Sequence, residues 1–433
     1  MFAARFPRLV AATTAAFLAA ATFLPTFAAA QDAPDAASIG KTNKTDKIAQ
    51  VDAKRPFRGV WVSTVGNIDY PSKPGLSADR LRAEADALLD RAAELRLTAV
   101  VLQVRPMGDA LYRSKIYPAS SFVSGKQGVA PDGDFDPLAY WVDGAHRRGL
   151  QLHAWVNPYR VTTGAAQRKN LAETNPAVLH PEWTFERDGK VYLNPGIAEV
   201  RRLVIAGMVE IVENYDVDGI HIDDYFYPAR DMTEDLETFR RFPRDFHDVE
   251  DWRRDNVDIL IRDAGKAIRA ARPGVVWGVS PAGIWANKSS HPLGSDTRGN
   301  QCYFNLYADV RHWVKSEWID YVTPQIYWHI GFEIAEFKTL VDWWSDVAEG
   351  TDVALYIGTA AYRVDPNSKT PAWRDPAELT RQLDYMATKE RVDGQIFFTA
   401  RSLAPGKPAS AALEAYSTEH WQAPRPKQAS KTE

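Results

Sequence analysis

Within nine residues, the segment Val217-Asp218-Gly219-Ile220-His221-Ile222-Asp223-Asp224-Tyr225 gathers carboxylates, an imidazole and a phenol on an apolar background. Side chains alternate between the two faces of a strand, so Ile220 and Ile222 share one face while Gly219, His221, Asp223 and Tyr225 share the other. Burying unpaired ionisable groups is costly, and a purely structural strand has little reason to collect them. Asp223, closing the strand, can act as nucleophile, general base or electrostatic stabiliser of a developing cation; the structural alternative is a pair with a neighbouring arginine. Asp224 opens the following loop, either to contact substrate with Tyr225 or to cap the loop.

Four further clusters carry polar groups of the right kind. His153-Ala-Trp155-Val-Asn157-Pro-Tyr159-Arg160 puts His153, Trp155, Asn157 and Tyr159 on one face by parity. His153 and Asn157 can hydrogen-bond the hydroxyls of a bound sugar, and Trp155 or Tyr159 can wall its ring; a satisfied core histidine is the rival for His153. In Gln103-Val-Arg105-Pro-Met-Gly-Asp109, parity puts Gln103 and Arg105 together, with Arg105 available to orient Asp109 or an acidic substrate group. Gln325-Ile-Tyr327-Trp328 and Tyr362-Arg-Val-Asp365 are additional rim candidates. A second carboxylate, needed as a general acid, is expected in the order Glu182, Asp109, Asp365. Glu182 lies in the insertion between Pro158 and Asn194 and depends on that loop folding over the site. His221, Asp223 and Asp224 are all possible metal ligands, but no histidine pair with ligand spacing accompanies them, so neither metal nor cofactor is expected.

These groups must be positioned by the elements around them. From Phe57 onward, short apolar strands alternate with amphipathic helices through eight rounds, for example Phe57–Ser63 with a helix over 77–96, and Ala99–Arg105 with one over 137–148. Alternating β and α segments imply a parallel sheet, and eight rounds in one chain imply a closed (β/α)8 TIM barrel of the α/β class. Helix-to-strand joints such as Arg148-Gly149-Leu150 are tight, whereas several strand-to-helix joints are long, which concentrates loop length on one rim. No glycine-rich phosphate loop follows the first strand, which argues against nucleotide binding.

The chain has 433 residues, 45% hydrophobic and 25% charged, with a net charge of −4. That balance is globular and argues against nucleic acid as the main partner. Residues 1–30 read as a signal peptide, with Arg5 and Arg8 before an apolar run and Ala28-Ala29-Ala30 as the cleavage site; a membrane anchor is the competing reading, disfavoured by Pro25, so no span is expected in the mature chain. Residues 31–55 read as a flexible linker, 56–420 as a single barrel domain with long βα loops, and 421–433 as a disordered tail. The single cysteine, Cys302, excludes an internal disulfide.

Together, Phe57-Arg-Gly-Val-Trp61, Gln103-Val-Arg105 with Gly108-Asp109-Ala110, His153-Ala-Trp-Val-Asn157-Pro-Tyr159, Asp218-Gly-Ile-His-Ile-Asp-Asp-Tyr225 and Thr323-Pro-Gln-Ile-Tyr327-Trp328 resemble the bacterial glycoside-hydrolase-like 10 family. The resemblance runs from about Phe57 to Tyr416 and implies a (β/α)8 glycosidase of the periplasm or cell envelope. Its substrate would be peptidoglycan glycan strands freed of peptide, with division-site proteins as possible partners. Strand four also looks like that of the α-amylase and α-galactosidase superfamilies, whose nucleophile falls on Asp223. At strand five, however, Ser280-Pro-Ala-Gly stands where the amylases carry an acidic glutamate, which leaves the acid unassigned. A non-catalytic glycan-binding protein and a metal-dependent polysaccharide deacetylase are the alternatives.

Overall fold

The computed structural model describes residues 56–423; the expected signal peptide, linker and the chain beyond 423 lie outside the described residues. Eight parallel strands close into a barrel. They are β1 (Phe57–Val62), β2 (Ala99–Arg105), β3 (Gln151–Val156), β4 (Gly219–Ile222), β5 (Val276–Val279), β6 (Tyr321–Val322), β7 (Ala354–Thr359) and β8 (Gly394–Phe397). Each is followed by a principal helix: α1 (Ala78–Glu94), α2 (Pro137–Arg147), α3 (Ala198–Asn214), α4 (Val249–Ala271), α5 (Val310–Lys315), α6 (Phe337–Ala348), α7 (Ala377–Ala387) and α8 (Pro408–His420). The chain therefore folds as the (β/α)8 TIM barrel expected from its alternation.

The helices form where apolar residues recur at helical spacing and polar groups cap their ends. In α1, Leu81, Ala85, Leu89 and Ala92 are buried and the Ser77 side chain accepts from the Arg80 N–H, satisfying a donor that the first turn leaves open. Burial of each leucine contributes roughly 1.5–3 kcal/mol. These stripes pack on the outward face of the barrel, where Val60, Leu102, Leu152, Ile220, Val279 and Leu355 lie. The inward face holds a separate cluster of Phe57, Trp61, Ala99, Val101, Trp155 and Ile396. Strand β6 is short because Pro324 has no N–H for the ladder; the chain rejoins it at Gln325, which bridges to Gly358.

At the lower rim one clamp is used four times. The residue preceding each even-numbered strand donates its N–H to the odd-numbered strand before it, and its side-chain oxygen takes an N–H back. Thr98 does this with Arg58, Asp218 with Leu152, Asp320 with Trp277 and Asp393 with Leu355. Donors at the strand starts, which would otherwise lack ladder partners, are thereby satisfied. At the closing seam, the segment expected to begin a disordered tail instead starts docked: the Arg58 guanidinium lies 5.1 Å from the Trp421 ring centroid, and Arg96 donates to the Trp421 carbonyl.

Tyr321 crosses the barrel interior because its neighbour is Gly278; a Cβ there would sit 1.9 Å from the Tyr321 ring. Overpacking of this kind costs about 1–3 kcal/mol and sometimes more. Gly278→Ala should therefore lower the denaturant midpoint by an amount in or above that range, while Gly164→Ala, where nothing lies within 4 Å, should change stability by no more than about 0.5 kcal/mol.

Candidate active site

The barrel floor beneath the mouth is polar and fully paired. Trp61 donates its indole N–H to His221 Nε2 at 3.2 Å, so that nitrogen carries no proton. His221 Nδ1 must then bear the hydrogen and donate to the Tyr321 hydroxyl at 2.9 Å. Tyr321 passes its own hydrogen to His153 Nδ1, also at 2.9 Å, and His153 Nε2 donates to Gln151 Oε1 at 3.1 Å. One proton arrangement satisfies every member of this chain. Burial pushes the His153 imidazole down to about 4 and that of His221 well below its ordinary value, so both are neutral. His221, expected at the binding surface, has both nitrogens engaged and is part of the floor, as is His153.

One residue higher on the same face stands Asp223, only 3% exposed. The Asn157 amide donates to both of its oxygens at 2.7 Å, and the Tyr225 N–H reaches Oδ1 at 3.3 Å. Asn157 is held in turn: its carbonyl oxygen accepts from Gln103 at 2.5 Å and from Arg160 at 3.0 Å. Gln103 Oε1 accepts from Ser63 Oγ and from the N–H groups of Thr64 and Val65. Arg160 is fixed on the Pro106 carbonyl and stacks under the half-exposed Tyr225 ring at 4.5 Å. The Trp155 indole lies beside Asp223, where its N–H helps to oppose the rise that burial imposes on the carboxyl group.

Asp224 faces the other side of the mouth, beside Gln325 and the Tyr327 ring. Gln325 is anchored on the Ser280 carbonyl and hydroxyl. Burial raises both carboxyl groups, but against different opposition. For Asp223 the Arg160 charge and the Asn157 amide pull the value back. For Asp224 the Asp223 charge adds to burial, and its carboxyl is pushed up to about 7. Part of the Asp224 surface meets solvent, yet the carboxyl group itself is embedded in protein. Of the two neighbouring groups Asp224 therefore holds its proton more firmly, an ordering that acid–base chemistry can use.

Other residues singled out by sequence sit elsewhere. Arg105 lies outside the barrel against Gly207 of α3, stacked 4.5 Å from the Tyr117 ring centroid. The register shift between Gln103 and Arg105 pairs Arg105 with Val156, which throws it onto the outward face and breaks the parity shared with Gln103. Tyr159 also leaves the expected face: after Pro158 the strand has ended, and Tyr159 packs in the outer cluster near Arg201. Arg160 takes the inward position. Trp328 turns away to lie against Gly283.

Of the three expected second carboxylates, none contacts Asp223 or Asp224. Glu182 is exposed and pairs with the His180 ring at 3.1 Å; its own backbone N–H, then His180, hold it below the usual carboxylate range, the wrong direction for an acid. Asp109 is buried and bonded to Gln127 at 3.2 Å, with burial raising it to about 6. Asp365 is exposed at the rim, accepting from the Asn367 N–H. Tyr321 and Gln103 were not singled out as site residues, although both lie on faces that the alternation marks as inward.

The insertion before α3 folds into a hairpin, Thr184–Arg187 against Lys190–Leu193. Asp188 and Gly189 turn it with φ of 50° and 69°, the left-handed pair of a tight hairpin turn. Tyr192 bridges Arg160, the Val191 carbonyl accepts from the Val161 and Thr162 N–H groups, and the Leu193 N–H donates to the Tyr159 carbonyl. The hairpin therefore locks the chain that carries Arg160. The long loop after β4 is pinned by the buried Arg253–Asp235 pair and by Arg253 donating to Tyr307.

The sequence over residues 56–375 matches the family described as Glycosyl hydrolase-like 10. The chain is 41% identical over 361 residues to the glycosyl hydrolase YngK of Bacillus subtilis, covering 82% of this chain and 70% of that protein. It is 37% identical over 390 residues to the glycosyl hydrolase DigH of Escherichia coli K12, covering 85% and 88% respectively. Among solved structures, the PgaB (BpsB) glycoside hydrolase domain from Bordetella bronchiseptica shares the fold with a TM-score of 0.53 at 14% identity, over 83% of this chain and 98% of that one. The β-galactosidase from Marinomonas ef1 does so at 0.51 and 10%, over 84% and 59%. The chain belongs to the Glycosyl hydrolase-like 10 family and is a glycoside hydrolase.

Proposed function

We propose that this glycosidase is exported and cleaves glycosidic bonds within peptide-free peptidoglycan glycan strands, with Asp223 and Asp224 as its working carboxylates. The observation that carries the site assignment is the placing of two adjacent carboxyl groups at the open end of β4, Asp223 gripped on both oxygens by Asn157 and Asp224 beside the anchored Gln325; burial raises both, and the Asp223 charge adds to it at Asp224, which reaches about 7. The substrate reading is supported by the five-motif resemblance, and export by the charged, apolar and small-residue pattern of residues 1–30.

In the reaction, protonated Asp224 delivers its proton to the glycosidic oxygen as the bond to the anomeric carbon breaks. The ionised Asp223 meets the positive charge that develops at that carbon. Water supplies the hydroxyl of the new reducing end, and its remaining proton restores the acid. Arg160 and Asn157 oppose the rise that burial imposes on Asp223, Asn157 orients it, and Gln325 and Tyr327 border Asp224. Glu182, Asp109 and Asp365 have no part in the proton transfer.

Peptide-free glycan strands incubated with the protein should yield saccharides detectable by mass analysis, and Asp223→Asn should slow their release by about a thousandfold; equal products from both proteins would remove Asp223 from the mechanism. The pH profile gives a second check. The acid must be protonated, so kcat/KM should fall as pH rises through about 7, and the base must be ionised, so it should fall again on the acid side. In Asp224→Asn the alkaline fall should vanish along with most of the rate; its persistence would place the acid elsewhere.

A further inference from the structure

Beside the catalytic mouth, between the loops that follow β7 and β8, lies a pocket of about 250 Å³ whose lining includes Tyr362, Asp365, Arg401, Ser402 and Lys407. It belongs to the same rim as the carboxylates, because both loops leave the C-terminal ends of their strands. An aromatic path joins the two places. The Tyr327 ring, beside Asp224, stacks on Phe398 at 5.8 Å, and Phe398 meets Tyr362 at 5.8 Å. Tyr362 is 44% exposed, an open face of the kind on which a pyranose ring can lie.

The polar groups around this face are unequal in charge. Arg401 is fixed by donating to the Asn67 carbonyl, and its backbone N–H is held by Asp69. Lys407 is exposed and has no carboxylate partner among the described residues. Arg363 lies against the Tyr362 ring and donates to its hydroxyl. Opposing these three cations are Asp365, whose carboxylate already accepts from the Asn367 N–H, and the half-buried Asp69. The excess is positive, and the anchored guanidinium keeps donors to spare, the pattern that receives a carboxylate.

We infer that this pocket is a subsite for a sugar ring bearing a free carboxylate, with Tyr362 as the platform and Arg401 and Lys407 as the anion-reading pair. The inference rests on the glycan reading above and adds to it a physical origin for the preference for peptide-free strands. A peptide on the lactyl ether of a muramyl residue turns the carboxylate into an amide and removes the charge these residues read. A uronic acid carries the same chemistry.

The test is calorimetric titration of the intact protein with N-acetylmuramic acid, its lactyl amide, glucuronic acid and N-acetylglucosamine, none of which can be hydrolysed. N-acetylmuramic acid should bind about tenfold or more tightly than its amide, and the gap should close in an Arg401→Gln, Lys407→Gln double variant. Asp365→Asn should tighten the acid by about two- to fivefold. A gain for glucuronic acid over N-acetylglucosamine with none for the muramyl acid over its amide would keep the subsite and overturn the muramyl source. Acid and amide binding alike to the unaltered protein, with glucuronic acid no tighter than N-acetylglucosamine, would overturn the inference and leave the proposed hydrolysis standing.

Discussion

The Asn157 amide, spanning both oxygens of Asp223 with its nitrogen while its oxygen receives Gln103 and Arg160, is the contact on which the site turns. A primary amide has donors on one side and acceptors on the other, so it can carry the orientation of one residue to the next without bringing a charge of its own. Here it links β2, β3 and β4 at the height where the barrel opens. Gln103 is itself locked by two backbone N–H groups and a hydroxyl from the loop after β1. The position of Asp223 is thus inherited from four consecutive strand ends, and the Arg160 charge and the Asn157 amide offset part of the rise that burial imposes on its carboxyl group.

Beneath it, the same physics yields the opposite result. The chain from Trp61 through His221, Tyr321 and His153 to Gln151 is buried and fully paired, so its members are inert supports. Identical residue types serve different ends of the barrel. Asp218 and Asp223 lie five positions apart around one strand, yet Asp218 clamps β3 at the closed rim and bonds His146, whereas Asp223 stands at the open rim. Conserving energy at one end and chemistry at the other is the division expected of this architecture.

Much of this was legible in the sequence. The eight-fold alternation gave the barrel, and the strand-four parity placed Gly219, His221 and Asp223 together on the inner face. Where the reading departed from the structure, the cause is local. Arg105 was misplaced by a one-residue register shift, which strict alternation cannot register. Tyr159 was misplaced because Pro158 ends the strand before it. The hairpin at Thr184–Leu193 was missed although Asp188-Gly189 between alternating residues is a direct signal for it. Asp224 was read as a substrate contact or loop cap because it opens the loop after the strand; only the burial and partner geometry separate its proton affinity from that of Asp223.

Carboxyl carbon resonances of the intact protein, labelled at aspartate and assigned with single Asp-to-Asn variants, measure that separation. Followed across pH, Asp224 should titrate near 7 and Asp223 at a distinctly lower pH, each step distorted by the other's charge. Titration of both groups within the ordinary aspartate range, near about 4, would contradict it.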